Sequence, residues 1–372
     1  MVLDIIAFAA TVLFGMYVHI NYLGASMLMA APYRRHKAVE KPPKKWPKVS
    51  AIISSKNEEA VIERTLKALR SEGYPNLEII LADASTDGTR KIAKKYADRI
   101  IDDEGEGKPA AANKAARAAR GEILYFLDAD SVVRPGSIKK LVSMLGGKTA
   151  AAVGVSLARN KGTITSRAAR LQYAHFSAMQ PVGMRVLKSP VISGKNFVAS
   201  KKDFFSVGGF DNVLTEDVNF TYKLKNAKKN IEFNPDAVTE EAVPEKFSHY
   251  AKQQERWYRG SFSEVAKGLK NARKKRQIFS TPLGILTMYA PGFVFVFAVA
   301  GLLLNSPILL SAALLGYLMK LVAAARYLDL GDIIFSPVSY AVLCTAQFGL
   351  LCYCAAKKAL GKKTEWYKTP KQ

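Results

Sequence analysis

Between Val49 and Leu127 short apolar runs alternate with helix-patterned segments, and this alternation restricts the possible folds more than any other feature. Val49 to Ser54, Leu77 to Ala82, Arg99 to Ile101 and Ile123 to Leu127 read as strands. Glu58 to Arg70, Asp87 to Tyr96 and Pro109 to Arg120 read as the helices between them. The last opens on proline, whose missing N–H costs nothing in a first turn. Repeated β-α units predict a mostly parallel, doubly wound sheet. Ile123 to Leu127 is almost wholly apolar, as a strand buried on both faces must be. Ala150 to Val155 reads as a further strand. Ligands collect at the carboxyl edge of such sheets, and there Asp128-Ala-Asp130 follows the fourth strand. Two acids so spaced suit a hard divalent cation gripping a diphosphate. They equally suit a polar turn.

A chain of 372 residues holds one large domain or two small ones. Its net charge of +24 calls for an anionic partner or surface. The cations cluster beside apolar stretches, as in Arg34-Arg35-His36-Lys37 and Lys41 to Lys48. Neither an aromatic RNP motif nor zinc-finger spacing occurs, so the pattern favours a membrane surface over nucleic acid. Cys344, Cys352 and Cys354 lie in one apolar stretch, with the spacing of neither a zinc site nor a disulfide framework. They read as packing groups.

Ile5 to Ala31 is long and apolar enough to span a bilayer. It carries no small-residue cleavage site and reads as an anchor. The basic cluster after it predicts that residues from about 33 onward are cytoplasmic. Apolar stretches at 281–304, 306–326 and 334–356 bring the expected spans to about four; Lys320 lies deep in the second of these three. Three late crossings would leave the basic tail outside, against the charge rule, so one stretch is expected to be re-entrant or interfacial. Residues 165–188 and 245–270 mix cations with apolar groups at helical spacing, as interface helices do. The expected division is an anchor (1–32), a basic linker (33–48), a catalytic domain (49–244) and an interface helix (245–278). A membrane region (279–358) and a basic tail (359–372) complete it.

Further polar marks stand at the expected strand ends. Ser54-Ser-Lys-Asn-Glu-Glu59 follows the first strand, and Asp83-Ala-Ser-Thr-Asp-Gly-Thr89 the second. Carboxylates there can accept from a nucleobase edge or a ribose, although the same residues make good turns and caps. Gly107-Lys108 precedes the Ala-rich helix and offers an ammonium and a helix N-terminus to phosphates, with Asn113 expected to help position that loop. Thr215-Glu-Asp217 heads a helix, as a capping edge or as a source of a general base. Gln253, Arg256 and Trp257 share one helix face. An arginine there can pair with a diphosphate and a tryptophan can back a sugar ring, although interface helices favour both residues anyway.

This ordered set, covering residues 48 to 260, resembles the family-2 glycosyltransferases, inverting enzymes with the GT-A fold. It is most similar to their membrane-embedded cellulose-synthase and hyaluronan-synthase branch. The resemblance implies an α/β GT-A domain, Rossmann-like with a doubly wound mixed sheet, plus amphipathic interface helices and about four membrane spans. It assigns Asp217 as base with Glu216 orienting it, and Asp130 as ligand to Mg²⁺ or Mn²⁺. Glu58, Asp83, Lys108, Asp128, Gln253, Arg256 and Trp257 fall to the nucleotide-sugar donor. Gly194, Lys195 and Asn196, with Trp257, fall to the acceptor.

The chain departs from soluble relatives in having Ser54-Ser-Lys56 where many have Pro-x-Tyr, and no gating-loop motif follows Trp257. The expected activity is transfer of one sugar, mannose from GDP-mannose, to a lipid-linked saccharide, by a monomer that spans the cell membrane several times. N-glycan precursor assembly, with an archaeal source, is one setting. A processive synthase would need more helices to shield its polymer. A polyprenyl-phosphate sugar synthase would need no base, and a basic scaffold none of these marks.

Overall fold

The computed structural model describes residues 45–182, 184, 190–270 and 290–361. The expected anchor, nearly all of the linker, the start of the stretch at 281–304 and the basic tail from 362 lie outside the described residues.

Eight strands form one mixed sheet: β1 (Val49–Ser55), β2 (Leu77–Asp83), β3 (Arg99–Asp102), β4 (Ile123–Asp128), β5 (Val132–Val133), β6 (Thr149–Ala158), β7 (Phe197–Ser200) and β8 (Asn230–Glu241). Their order is β3-β2-β1-β4-β7-β6-β8-β5. The first half is parallel throughout, as the β-α alternation predicts. β7 then enters antiparallel between β4 and β6, and β8 runs parallel to β6. Sequence periodicity missed β5, β7 and β8. β7 has only four residues, and β8 carries Pro235 within its run, which ordinarily argues against a strand.

Strand side chains alternate between two cores. Ile52, Ile80, Leu124 and Phe126 meet α3 (Lys108–Ala118), α6 (Lys201–Ser206) and α7 (Glu216–Asn226). Ile53, Ile79, Leu81 and Tyr125 meet α1 (Ile62–Arg70), α2 (Thr89–Ala93) and α4 (Ser137–Val142). α1 begins later than its pattern suggests, because residues 57–59 are bound to the next loop. The Asn57, Glu58 and Glu59 N–H groups donate to Ser85, Thr89 and Asp87 side chains at 2.8, 2.8 and 3.3 Å. Two neighbouring strand-end loops are thereby tied into one surface.

Five phenylalanines fasten α7 to the sheet. Phe126 stacks on Phe197 at 4.8 Å, while Phe204 and Phe210 lie 5.2 and 5.4 Å from Phe220 of α7. Phe126 lies two residues before Asp128, and Phe220 three after Asp217. The cluster therefore sets the distance between two sets of acids.

Beyond the sheet lie α5 (Ile164–Val182), α8 (Phe247–Lys270), α9 (Ala290–Leu303), α10 (Pro307–Ala324) and α11 (Leu330–Ala359). α5 is buried along most of its length against β6 and its helical neighbours. Within the stretch expected to form an interface helix, Arg170 of α5 turns inward to Asp332 of α11. α10 and α11 are inside out by the standards of a soluble protein. Ile308, Leu314, Val322, Leu330 and Ile334 are exposed, whereas Gly316, Lys320, Asp332, Ser336, Ser339 and Gln347 are buried. Small and polar residues between helices with leucines outside is the pattern of lipid-facing helices. Pro307–Tyr327 and Leu330–Cys354 are long and apolar enough to cross a bilayer, and Val294–Leu303 is a shorter apolar helix.

Phe220→Ala should lower stability by about 3–5 kcal/mol. Phe247→Ala, at an exposed ring, should cost about 0.5 kcal/mol. Denaturant unfolding of the two variants checks this, and equal losses would deny the aromatic cluster its role.

Candidate active site

The sheet register lines up the polar strand ends. Ser54 pairs with Asp128, and Ser55 with Asp83, across adjacent parallel strands. Asp83 is buried; its Oδ1 accepts from Ser55 and Ser85 hydroxyls, each at 2.6 Å. Its buried Oδ2 has no hydrogen-bond partner among the described residues. Glu58, also buried, lies in the β1–α1 turn, its carbonyl accepting from Val61 and Ile62 N–H.

Lys108 opens α3 directly after Gly107, whose φ of +108° few other residues adopt. Its ammonium lies 2.7 Å from Asp128 Oδ1 and 3.1 Å from Glu216 Oε1. Burial works against that charge, but Asp128 and Glu216 outweigh it and hold the lysine well above its ordinary pKa. Glu216 is raised, chiefly by burial and with Asp217 adding to it, while Lys108 opposes the rise. Asp217 is oriented by backbone: Oδ2 accepts from Gly194 N–H and Oδ1 from Val218 N–H, each at 2.8 Å. A β-carbon at Gly194 would stand 3.4 Å from both Asp217 Oδ2 and Lys108 Nζ.

Asp128, Asp130 and Glu241 bring carboxylate oxygens within 4.8 Å of one another. Glu241 was not anticipated, because β8 was not recognised as a strand; the acid pair ending an alternating run was the available signal. Its Oε2 accepts from Tyr173 Oη at 3.2 Å and from Lys195, while Oε1 is buried with no hydrogen-bond partner among the described residues. Burial, opposed by Lys195 and assisted by Asp130 and Asp128, pushes Glu241 up to about 7. An all-oxygen set of acids with an unused buried oxygen fits a hard divalent cation. Asp128, Asp130 and Glu241 would hold it.

Lys195 joins this triad to the aromatic wall. Its ammonium lies 4.5 Å from the Tyr173 ring and 5.1 Å from the Trp257 ring. Burial opposes its charge, but Glu241 prevails and raises its pKa. Tyr173 and Phe176 lie 6.2 and 6.4 Å from Trp257, centroid to centroid. Arg256 Nε and Gln253 Oε1, on the same helix face, are buried without hydrogen-bond partners among the described residues. Asn196 is different from its expected acceptor role. It is fully buried, bonding Tyr125, Val155 and Ala237 at 3.0 Å each, and so holds β4, β6 and β8 together beneath the site. Asn113 likewise clamps Phe210 through both backbone groups, at 2.8 and 3.0 Å, rather than the Gly107 loop.

Direct contacts thus link Lys108, Asp128, Glu216, Asp217 and Gly194 on one side, and Asp130, Glu241, Lys195 and Trp257 on the other, with Asp128 common to both. Among these groups carboxylates outnumber ammoniums, which favours binding of a cation. Gly260 lets α8 approach the start of α7, since a β-carbon there would fall 2.5 Å from Thr215 Cγ2. Gly260→Ala improves helix propensity by about 1 kcal/mol. It should nevertheless lower the melting temperature and shift Trp257 fluorescence; a stabilised variant with unchanged emission would refute the close contact.

The sequence profile described as glycosyltransferase like family 2 matches residues 47–260. The chain is 31% identical to the probable glycosyltransferase YdaM of Bacillus subtilis over 279 residues, 68% of this chain. It spans 66% of that protein's length. It is 25% identical to a β-monoglucosyldiacylglycerol synthase of a Nostoc species, over 77% of this chain and 64% of that one. In fold it matches a mannosyltransferase from Pyrobaculum calidifontis, solved in complex with GDP-Man and Mn²⁺. The TM-score is 0.58 at 22% identity, over 94% of this chain and 99% of the other. With the profile covering more than half of the sequence and the strand-end acids converging as described, the chain belongs to the family-2 glycosyltransferases and carries their GT-A fold.

Proposed function

We propose that the protein transfers a single mannosyl unit from GDP-mannose, with inversion, to a hydroxyl of a polyprenyl- or dolichyl-linked saccharide at a membrane surface. The observation that carries this reading is the single linked cluster in which Lys108 joins Asp128 to Glu216, next to Asp217. A hydroxyl is a weak nucleophile at neutral pH and needs a proton acceptor as it attacks. Asp217 takes that proton, steered by its two backbone bonds. The acceptor oxygen bonds to the anomeric carbon while the bond to the diphosphate breaks on the opposite face. Glu216 and Lys108 keep the base at its distance from Asp128.

Asp128, Asp130 and Glu241 would hold Mg²⁺ or Mn²⁺, which when bound would supply positive charge to steady the departing diphosphate. Arg256, whose Nε has no hydrogen-bond partner among the described residues, pairs with the same phosphates. Asp83 Oδ2 accepts from the base or ribose, together with Glu58. Trp257 backs the acceptor sugar, and Gly194 and Lys195 line its approach. GDP-mannose is favoured by the likeness to the Pyrobaculum enzyme, and a lipid acceptor by the likeness to the Nostoc one. The apolar helices packed behind Trp257 support the same acceptor class. A multi-pass chain with its catalytic domain in the cytoplasm is in keeping with the basic cluster at residues 34–48.

A thermal-shift screen of nucleotide sugars on the full chain, with and without Mn²⁺, tests the donor. GDP-mannose should give the largest Mn²⁺-dependent shift; a larger one with UDP-sugars would overturn that choice. Asp217→Asn should slow transfer about 10²–10⁴-fold yet keep donor affinity. Undiminished turnover would remove the base assignment.

Metal affinity should also depend on pH. With Glu241 near 7 in the free site, a proton must leave before the cation enters. Mn²⁺ affinity should therefore fall about tenfold per unit below that value and level off above it. Calorimetry across this range checks the slope, which Glu241→Gln should abolish.

A further inference from the structure

Asp332, in the first turn of α11, is buried although it carries a charge. Arg170 of α5 meets it with Nε 3.0 Å from each carboxylate oxygen, and Nη2 bonds Oδ2 as well. The other arm of the same guanidinium points to the sheet. Nη1 donates to the Ala158 carbonyl, and to that of Arg159 at 3.2 Å. Arg167 stands 3.7 Å from Asp332 on the same side. A buried ion pair gains little over well-packed apolar groups. What a planar guanidinium adds is one geometry, since its five donors form a rigid fork.

The two carbonyls are those of the carboxyl end of β6. Ala158 is the register partner of Glu241, and Arg159 N–H donates to the Glu241 carbonyl at 2.8 Å. A continuous chain of polar contacts therefore runs from Asp332 through Arg170 and the end of β6 to Glu241. None of the contacts in it is longer than an ordinary hydrogen bond. Glu241 is one of the three acids whose oxygens converge.

We propose that the Asp332–Arg170 pair positions Glu241, so that the seating of the apolar helix α11 on α5 sets the affinity of the divalent-cation site. The inference rests on the reading of Asp128, Asp130 and Glu241 as that site. Arg170 touches neither cation nor substrate; it acts through the β6 carbonyls. Lysine cannot replace it, because one ammonium cannot bridge Asp332 and two carbonyls that lie on opposite sides of the guanidinium.

Mn²⁺ binding to the purified full chain, followed by calorimetry without any sugar nucleotide, tests this apart from turnover. Asp332→Asn and Arg170→Lys should each weaken Mn²⁺ about tenfold, as loss of an outer partner of a metal ligand does. The double variant should be no worse than either single, because both break one link. Lys161→Ala, which removes an exposed pair to Asp329, should leave Mn²⁺ affinity at the wild-type level. Should Asp332→Asn fail to fold, Arg170→Lys, which keeps the buried positive charge, carries the measurement. Folded Asp332→Asn or Arg170→Lys protein with wild-type Mn²⁺ affinity overturns the inference and leaves the metal reading standing. A wild-type chain that binds no Mn²⁺ removes both.

Discussion

Lys108 lies between Asp128 and Glu216, and the arrangement of the site depends on that placement. Acids brought together at buried strand ends repel one another unless cations stand between them. Lys108 does this between Asp128 and Glu216, and Lys195 offsets Glu241 beside the aromatic wall. Each lysine comes from a different loop from the acids it touches. The charge balance therefore closes only when α3, α7, β4, β7 and β8 are all in register. The phenylalanine cluster under Phe126 and Phe220 supplies the apolar side of the same requirement, keeping α7 at a fixed height over the sheet.

The helical region outside the sheet extends this logic to the helices beside Trp257. Tyr250 and Gln254 of α8 both bond Gln172 of α5, at 3.1 and 2.8 Å, so that these two helices approach as one unit beside Trp257. At its far end α11 also touches α8, through Lys357 and Glu255 at 2.7 Å. Trp257 is thus held between a polar lock among helices and the Lys195 ammonium. In α10 and α11 leucines lie outside and amides inside, an arrangement in keeping with helices that face lipid.

The legible part of the fold was its parallel half. Val49, Leu77 and Ile123 open runs that are buried on both faces, and such runs differ sharply from the polar loops between them. The antiparallel half was hidden. Phe197–Ser200 is too short to show a period, and Asn230–Glu241 alternates around a proline. Missing β8 meant missing Glu241, and with it the third acid of the group that could hold a cation. Asn196 failed in the opposite direction: adjacency to Gly194 and Lys195 suggested a shared role, but side chains alternate across a strand entry, and its amide turns beneath the sheet.

By itself the sequence determined the class of fold, the edge of the sheet that carries the chemistry, and the kinds of residue gathered there. Apolar period and strand-end acids are local properties, readable over a few neighbours. Tertiary structure alone decided which acid meets which lysine, that Glu241 joins Asp128 and Asp130, and that Arg170 is bound to Asp332. Those pairings join residues up to 162 positions apart, and only the register of the sheet and the packing of the helices bring them within reach.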